Sequence, residues 1–264
     1  MTSRRHIMKC IRVRSAIPLP AVLGILLILT GCATFDYPGV QRDFNSAVQA
    51  DNVRTAEGLG ALTSTNAEQL YDQVRTRLTD DQITKLDERL RPNAYALRAV
   101  SEWRTGKLGE ARATAQTGLR LPNASASPRD EMVLRMIPAL VIDAQLVTAF
   151  RQAGGKLSKQ AYDSQYAADF GTAADAIKRV TATLNPAIPA SIVYYAHLQR
   201  WRILEDWNVV ISQIEDGQPA RQAAREDAKR RLGGVDLDAE IKAEEKLIPA
   251  DDPLRKSIEA LMLR

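Results

Sequence analysis

Glycine and proline separate the periodic apolar segments of this chain, and this spacing limits its possible folds more than any other feature. Strong helix formers dominate between the breaks: alanine, leucine, arginine, glutamine and glutamate. No pair of alternating runs is joined by a hairpin turn, as an antiparallel sheet would require. The pattern predicts an all-α fold, built either of stacked helical hairpins or as an irregular α-helical bundle.

Helix start signals mark several of the segments. A hydroxyl residue followed three positions later by Glu or Gln forms a capping box, and proline is favoured in the first helical turn. Such signals occur at Thr65 with Glu68, Thr79 with Gln82, Ser127 with Pro128, and Asp252 with Pro253. The predicted helices are 40–57, 66–77, 80–91, 93–105, 108–120, 128–150, 158–184, 189–216, 219–232, 236–247 and 253–263. Pro138 is predicted to kink or split the sixth of them.

The first 31 residues have a different character from the rest. Five basic residues and no acid precede the apolar run Ala21–Leu29, which is followed by Thr30, Gly31 and Cys32. A basic segment followed by a short apolar core is typical of a secretory signal. The core is too short for a bilayer, which needs roughly 20 apolar residues.

The sequence Leu29-Thr30-Gly31-Cys32 resembles the lipobox of bacterial lipoproteins, which signal peptidase II cleaves. The resemblance implies cleavage between Gly31 and Cys32, S-diacylglycerol on the Cys32 thiol and an acyl chain on its new amino group. Ala33 stands where an aspartate would retain an enterobacterial lipoprotein in the inner membrane. We therefore expect the periplasmic face of the outer membrane, with the inner membrane as the lesser alternative. An ordinary signal peptide with a chance cysteine is the other interpretation.

Removal of this leader changes the charge of the chain. The leader holds five of the 36 basic residues and none of the 32 acids, so 31 basic side chains would face 32 acidic ones. A nucleic-acid-binding surface needs a basic footprint, so no nucleic-acid partner is expected. Cys10 would leave with the leader and Cys32 would carry lipid, so no disulfide is predicted.

A frame of Gly, Ala, Leu and Pro recurs at 106–122, 171–186 and 234–249. In its first copy, together with the segment before it, the chain resembles a tetratricopeptide unit, in which small residues let two helices pack closely. The residues that carry this resemblance are Ala96, Trp103, Gly106, Ala111, Ala115, Gly118 and Pro122. It implies stacked helical hairpins that present a concave surface to protein partners. An irregular bundle with one chance match is the alternative.

Residues able to support catalysis are few. His197 is the one histidine after the leader, and no second histidine or free thiol is available to complete a zinc site. Glu131 and Asp143 lie on the most apolar helix and could form a hydrolase pair. Because burial of an unpaired Asp143 would be costly, this residue could instead pair with an arginine from a neighbouring helix or face solvent. We predict no enzyme, no metal and no cofactor beyond the covalent lipid.

Aromatic residues cluster in the predicted helix 189–216, at Tyr194, Tyr195, Trp201 and Trp207. One helix cannot bury all four against a single neighbour, because they point in several directions. They are therefore candidates, together with Trp103, for a partner-binding surface. The alternative is that this helix is central and covered on several sides.

These features predict a leader over 1–31, a lipidated tether over 32–40, a helical repeat-like domain over 41–218 and charged helices over 219–264. The last region is expected to be a cap or a docking arm. The predicted function is a scaffold, held to the membrane by lipid, for a cell-envelope assembly or secretion complex. The alternatives are an enzyme acting on envelope glycans through a carboxylate pair, and a carrier of a small ligand or lipid.

Overall fold

The computed structural model describes residues 35–56, 65–183, 188, 190–251, 255 and 262–263. The chain divides into two units, Met1–Asp36 and Tyr37–Arg264, and the helices below belong to the second. They are α1 Tyr37–Ala56, α2 Thr65–Arg77, α3 Asp80–Thr84, α4 Arg91–Arg104, α5 Leu108–Leu119, α6 Pro128–Gln152, α7 Lys159–Gln165, α8 Ala167–Ala182, α9 Ala190–Ser212, α10 Gln218–Arg231 and α11 Leu237–Lys246. Short 3₁₀ turns lie at Glu88–Leu90 and Ala124–Ala126. Within this part of the chain there is no strand, so the all-α prediction is confirmed.

Most of the long helices pack against their neighbours in the sequence. Helix α1 packs on α2, α2 on α4, and α4 on both α5 and α6. The succession continues with α6 on α8, α8 on α9, and α9 on α11. The second unit is therefore an all-α arrangement in which most long helices pack on helices close to them in the sequence.

Two predicted helices are divided in the structure. The segment 80–91 contains the short α3 and the 3₁₀ turn, because the Asp87 carboxylate accepts a hydrogen bond from the Arg89 N–H and competes with the helix. The segment 158–184 breaks between α7 and α8 at Tyr166, whose φ of −118° departs from helical geometry. The prediction of single helices at these two places was wrong.

Two predictions about proline also need correction. Pro38 and Gly39 were assigned to a tether, but they lie in the first turn of α1, which begins at Tyr37. Proline fits there because the first helical N–H groups have no partner in the helix. Of the kink or split predicted at Pro138, the split does not occur, since helix α6 is continuous through this residue. The predicted helix 253–263 falls largely outside the described residues.

Small residues allow close contact in the hairpin of α4 and α5. Ala111, Ala115 and Gly118 of α5 are buried, at positions where the sequence suggested small residues. A Cβ added at Gly118 would lie 2.8 Å from Leu134 Cδ1 and 2.9 Å from Tyr95 Cβ, closer than packed atoms approach. Glycine at this position therefore permits α5 to fit between α4 and α6.

One helix of the described part, α6, is long and apolar enough to cross a membrane. Of its most apolar window, 56% is buried inside the protein. It packs against α4, α5, α8 and α9. These contacts are those of a core helix.

Candidate functional site: buried charges of helix α9

Helix α9 places several polar side chains inside the protein. Gln199, Arg200, Arg202 and Asp206 are all at most 3% exposed, and His197 is partly buried. Burial of a charge is costly unless the charge is paired, hydrogen-bonded or neutralised by a proton. The partners of these side chains form two groups, which we call the Arg202 cluster and the Arg200 cluster.

The Arg202 cluster consists of Arg202, Asp206, Asp143 and Trp103. Arg202 Nη2 donates to Asp143 Oδ2 of α6 at 2.6 Å, and both side chains are almost completely buried. The guanidinium carbon of Arg202 lies 5.4 Å from the centroid of the Trp103 ring, where a cation–π interaction adds stabilisation. Of the alternatives predicted for Asp143, pairing with an arginine from a neighbouring helix is therefore the one observed.

Asp206 gives this cluster an excess of acid. Its Oδ1 accepts a hydrogen bond from the Leu263 backbone N–H at 2.5 Å. Asp206 Oδ2 and Asp143 Oδ1 have no hydrogen-bond partner within the described part of the chain. One buried guanidinium thus accompanies two buried carboxyl groups, which favours the presence of a proton on one of them.

Burial and the nearby charge of Asp143 raise the pKa of Asp206 well above its ordinary value, against the opposing effects of Arg202, the Leu263 N–H and Arg151. Burial also raises the pKa of Asp143, although Arg202 opposes this shift. A raised carboxyl pKa in the folded state makes folding favour the protonated form. The stability contributed by a neutral Asp206 is full below its unfolded pKa and is lost as pH rises through its raised folded pKa.

We therefore expect Asp206→Asn to stabilise the protein relative to wild type at pH 8, and by much less at pH 4. The amide keeps an oxygen for the Leu263 N–H and removes the ionisation that opposes folding at high pH. The measurement is urea unfolding of both proteins at several pH values, followed by circular dichroism.

Asp175→Asn is a suitable control, because its exposed carboxylate pairs with Arg179 on the surface of α8. This control should show the same pH dependence as wild type. If Asp206→Asn gave a stability difference that did not change with pH, Asp206 would not titrate between those limits.

The Arg200 cluster joins α9 to α11 and consists of Arg200, His197, Glu240 and Glu244. Arg200 Nη1 donates to Glu240 Oε2 at 3.0 Å and also to Glu244 Oε1. The second oxygen of Glu244 lies 2.7 Å from His197 Nδ1. Burial raises the pKa of Glu244, but the hydrogen bond from His197 and the charge of Arg200 outweigh it and lower that pKa overall.

This arrangement shows how the charged C-terminal region meets the rest of the unit. Helix α11 packs against α9 and contributes the buried carboxylates of Glu240 and Glu244. Helix α10 instead uses exposed pairs such as Arg225 with Asp238 and Lys229 with Asp236. Within 219–251, α11 therefore packs on α9 through buried carboxylates, in the region that the sequence predicted to be a cap or a docking arm.

The three candidate tryptophans lie in the core. Trp207 is fully buried, its Nε1 donates to Tyr162 Oη at 2.9 Å, and its ring stacks on Phe170 at 5.9 Å between centroids. Trp201 and Trp103 are 5% and 7% exposed. This burial fits the alternative of a central helix and leaves these rings little surface to offer a partner.

Tyr194 and Tyr195 are partly buried and are more exposed than the tryptophans. They stay candidates for contact with a partner, in contrast to the tryptophans.

The carboxylates singled out from the sequence do not share a site. Glu131 pairs with Arg135 near the surface at 2.5 Å, whereas Asp143 lies in the interior. Twelve residues of one helix separate them by about 18 Å. The described residues contain no group of three or more side chains that could hold a metal. Leu29, Thr30, Gly31 and Cys32 lie outside the described residues.

Sequence reasoning missed Arg200, Arg202, Asp206, Glu240 and Glu244. A signal was present for the first three, since they interrupt the apolar sequence between Trp201 and Trp207 or adjoin it. Ionisable residues within an otherwise apolar helix indicate either an exposed stripe or buried pairs, and the choice depends on what covers the helix. Glu240 and Glu244 are four residues apart, which is a helical spacing, but the segment that contains them is highly charged. This pattern therefore did not indicate that the two side chains are buried.

A shallow groove lies between α6 and α8. Met132, Val180 and Ile188 supply its apolar surface, and Glu131 and Arg135 line it as well. Its volume of about 200 Å³ is below the roughly 300–1,000 Å³ of typical small-molecule pockets.

Comparison with known proteins adds no relative. No protein-family model, curated protein or solved structure matches this chain.

Proposed function

We propose that this chain is a lipid-anchored protein of the periplasmic face of the bacterial outer membrane, where it acts as a scaffold for envelope proteins. The observation that carries the proposal is the lipobox-like Leu29–Cys32 at the end of a basic, apolar leader. The helices that follow pack mostly on near neighbours in the sequence, an arrangement suited to binding other proteins. The enzyme and carrier alternatives have less support, since Glu131 and Asp143 lie about 18 Å apart on one helix and the groove between α6 and α8 has a volume of about 200 Å³.

The anchor proposed for Cys32 has a sufficient physical basis. Each buried methylene contributes about 0.8 kcal/mol, so one acyl chain binds marginally, whereas two or three chains hold a protein stably at the membrane. Confinement to one membrane also raises the effective concentration of the scaffold near membrane-bound partners. The lipid would thus localise the protein and assist assembly, while the helices supply the contacts.

We expect Cys32→Ala to abolish lipidation and release the protein from the membrane fraction. The thiol is the nucleophile that receives diacylglycerol, and alanine has none. The measurement combines metabolic labelling with an alkyne fatty acid, fractionation of membranes and mass spectrometry of the mature N-terminus. Thr30→Ser, which keeps a residue found in lipoboxes, is the matched control and should be lipidated normally.

The result that would overturn the anchor is a wild-type mature N-terminus without fatty acid, or an intact leader. The scaffold part is tested separately, by crosslinking in intact cells and capture of the lipidated wild-type protein. We expect the same envelope proteins to be captured in repeated experiments. Failure to capture any of them would contradict a scaffold even for a lipidated protein.

A further inference from the structure

The distance between the proposed lipid and the helical unit is short. This inference rests on the proposed lipidation of Cys32. Helix α1 begins at Tyr37, so five residue steps connect the lipidated residue to the first helical residue. A fully extended chain spans about 3.3–3.6 Å per residue, which limits this connection to roughly 18 Å. The bilayer surface must then lie within about this distance of Tyr37.

The side of the helical unit near Tyr37 is fixed by hydrogen bonds among three helices. Tyr37 Oη donates to Asn93 Oδ1 of α4 at 2.6 Å, and Gln41 Nε2 donates to the same oxygen at 3.0 Å. Asn93 Nδ2 donates to Asp130 Oδ1 of α6 at 2.8 Å. The first turns of α1, α4 and α6 therefore lie together, and we call this side the membrane edge.

Two exposed side chains extend from the membrane edge. Arg89 has 93% of its side chain exposed, and Leu90 is one of three large apolar residues that are exposed within the described part. Leu90 precedes Asn93 by about one helical turn, or roughly 5 Å. Asn123 Nδ2 donates to the Glu88 carbonyl at 2.5 Å and holds the 3₁₀ turn that carries these residues.

The charges of this turn balance. Asp87 and Glu88 offset Arg89 and Arg91, so the turn has no net charge to attract anionic lipid. The short connection to Cys32, and not charge, would bring the edge to the bilayer. An exposed leucine beside an arginine suits the boundary between headgroups and acyl chains, where apolar side chains insert and guanidinium groups meet phosphate.

We propose that the membrane edge rests on the lipid headgroups, with Leu90 as its point of contact with the bilayer. The occupant of this exposed surface is thus the bilayer that holds the lipid of Cys32. The opposite orientation, in which this edge is free to bind a protein, would separate Leu90 from the headgroups.

A single-cysteine label tests the orientation. After cleavage and lipidation no free thiol is expected, so Leu90→Cys supplies one attachment point for a fluorophore. The lipidated protein is reconstituted in phosphatidylethanolamine–phosphatidylglycerol vesicles that contain a lipid with a quencher on its headgroup. Leu247→Cys is the matched control, because Leu247 is 49% exposed at the end of α11.

We expect loss of fluorescence at position 90, retention at position 247, and no change in either when salt is raised. Equal fluorescence at the two positions in a protein shown by mass spectrometry to carry lipid would overturn the orientation alone. If high salt strongly reduced the quenching at position 90, charge and not the short connection to Cys32 would be what holds the membrane edge at the bilayer. Absence of lipid on Cys32 would overturn the proposed function, and this inference with it.

Discussion

Replacement of Arg202 by methionine is expected to lower the free energy of unfolding by about 3–5 kcal/mol. The substitution removes the hydrogen bond that Arg202 donates, at 2.6 Å, to Asp143, which is 2% exposed. It also removes the positive charge that favours ionisation of Asp206. Methionine fills much of the volume, so the loss is electrostatic more than steric. Urea unfolding followed by circular dichroism measures it.

Arg135→Met is the control for this experiment. Arg135 pairs with Glu131 on the same helix at 2.5 Å, but 47% of its side chain is exposed. Such surface pairs contribute at most about 1 kcal/mol. The double variant Asp143→Leu with Arg202→Met tests the cause, because it removes both charges and should recover most of the loss. If the double variant were less stable than Arg202→Met, an unpaired carboxylate would not explain the effect.

The helices could be predicted from the sequence because their signals are local. Thr79, identified as a cap, accepts a hydrogen bond from the Gln82 N–H at 3.3 Å. Gly118, identified as a small position, lies where a larger residue would clash with Leu134. Where prediction failed, at Asp87 and Tyr166, a single residue within a helical pattern took a non-helical conformation. Neither residue is a strong helix breaker, so composition gave little warning.

The buried charges could not be predicted because they depend on contacts between helices. Arg202 and Asp143 are 59 residues apart, and Arg200 and Glu244 are 44 apart. A charged residue in an apolar helix looks the same in sequence whether it faces water or a partner. Trp207 shows the same limit, since its burial against Phe170 requires that α8 cover α9. The sequence showed that aromatic and charged residues are unusually frequent in α9. It did not show that neighbouring helices cover them.

The second large effect is expected at Arg200. Arg200→Met would leave Glu240 and Glu244 without the guanidinium that both carboxylates share. We expect a loss of about 3 kcal/mol, the lower end for a buried pair that loses one partner, because Lys178 still contacts Glu240 at 3.3 Å and His197 still contacts Glu244 at 2.7 Å. Because both acids belong to α11, the loss should detach this helix from α9 before the rest unfolds. Limited proteolysis should then cut between residues 232 and 250 in the variant, at concentrations of protease that leave wild type intact.

Arg225→Met is the matched control for this second effect. Arg225 also links to α11, through Asp238 at 3.1 Å, but its side chain is 38% exposed and that of Asp238 is 60% exposed. Since solvent screens this pair, its loss should cost less than about 1 kcal/mol and leave α11 protected. If Arg225→Met released α11 as readily as Arg200→Met did, burial of the carboxylates would not be what holds this helix. Helix α11 would then be a docking arm attached by its surface, and not a covered part of the interior.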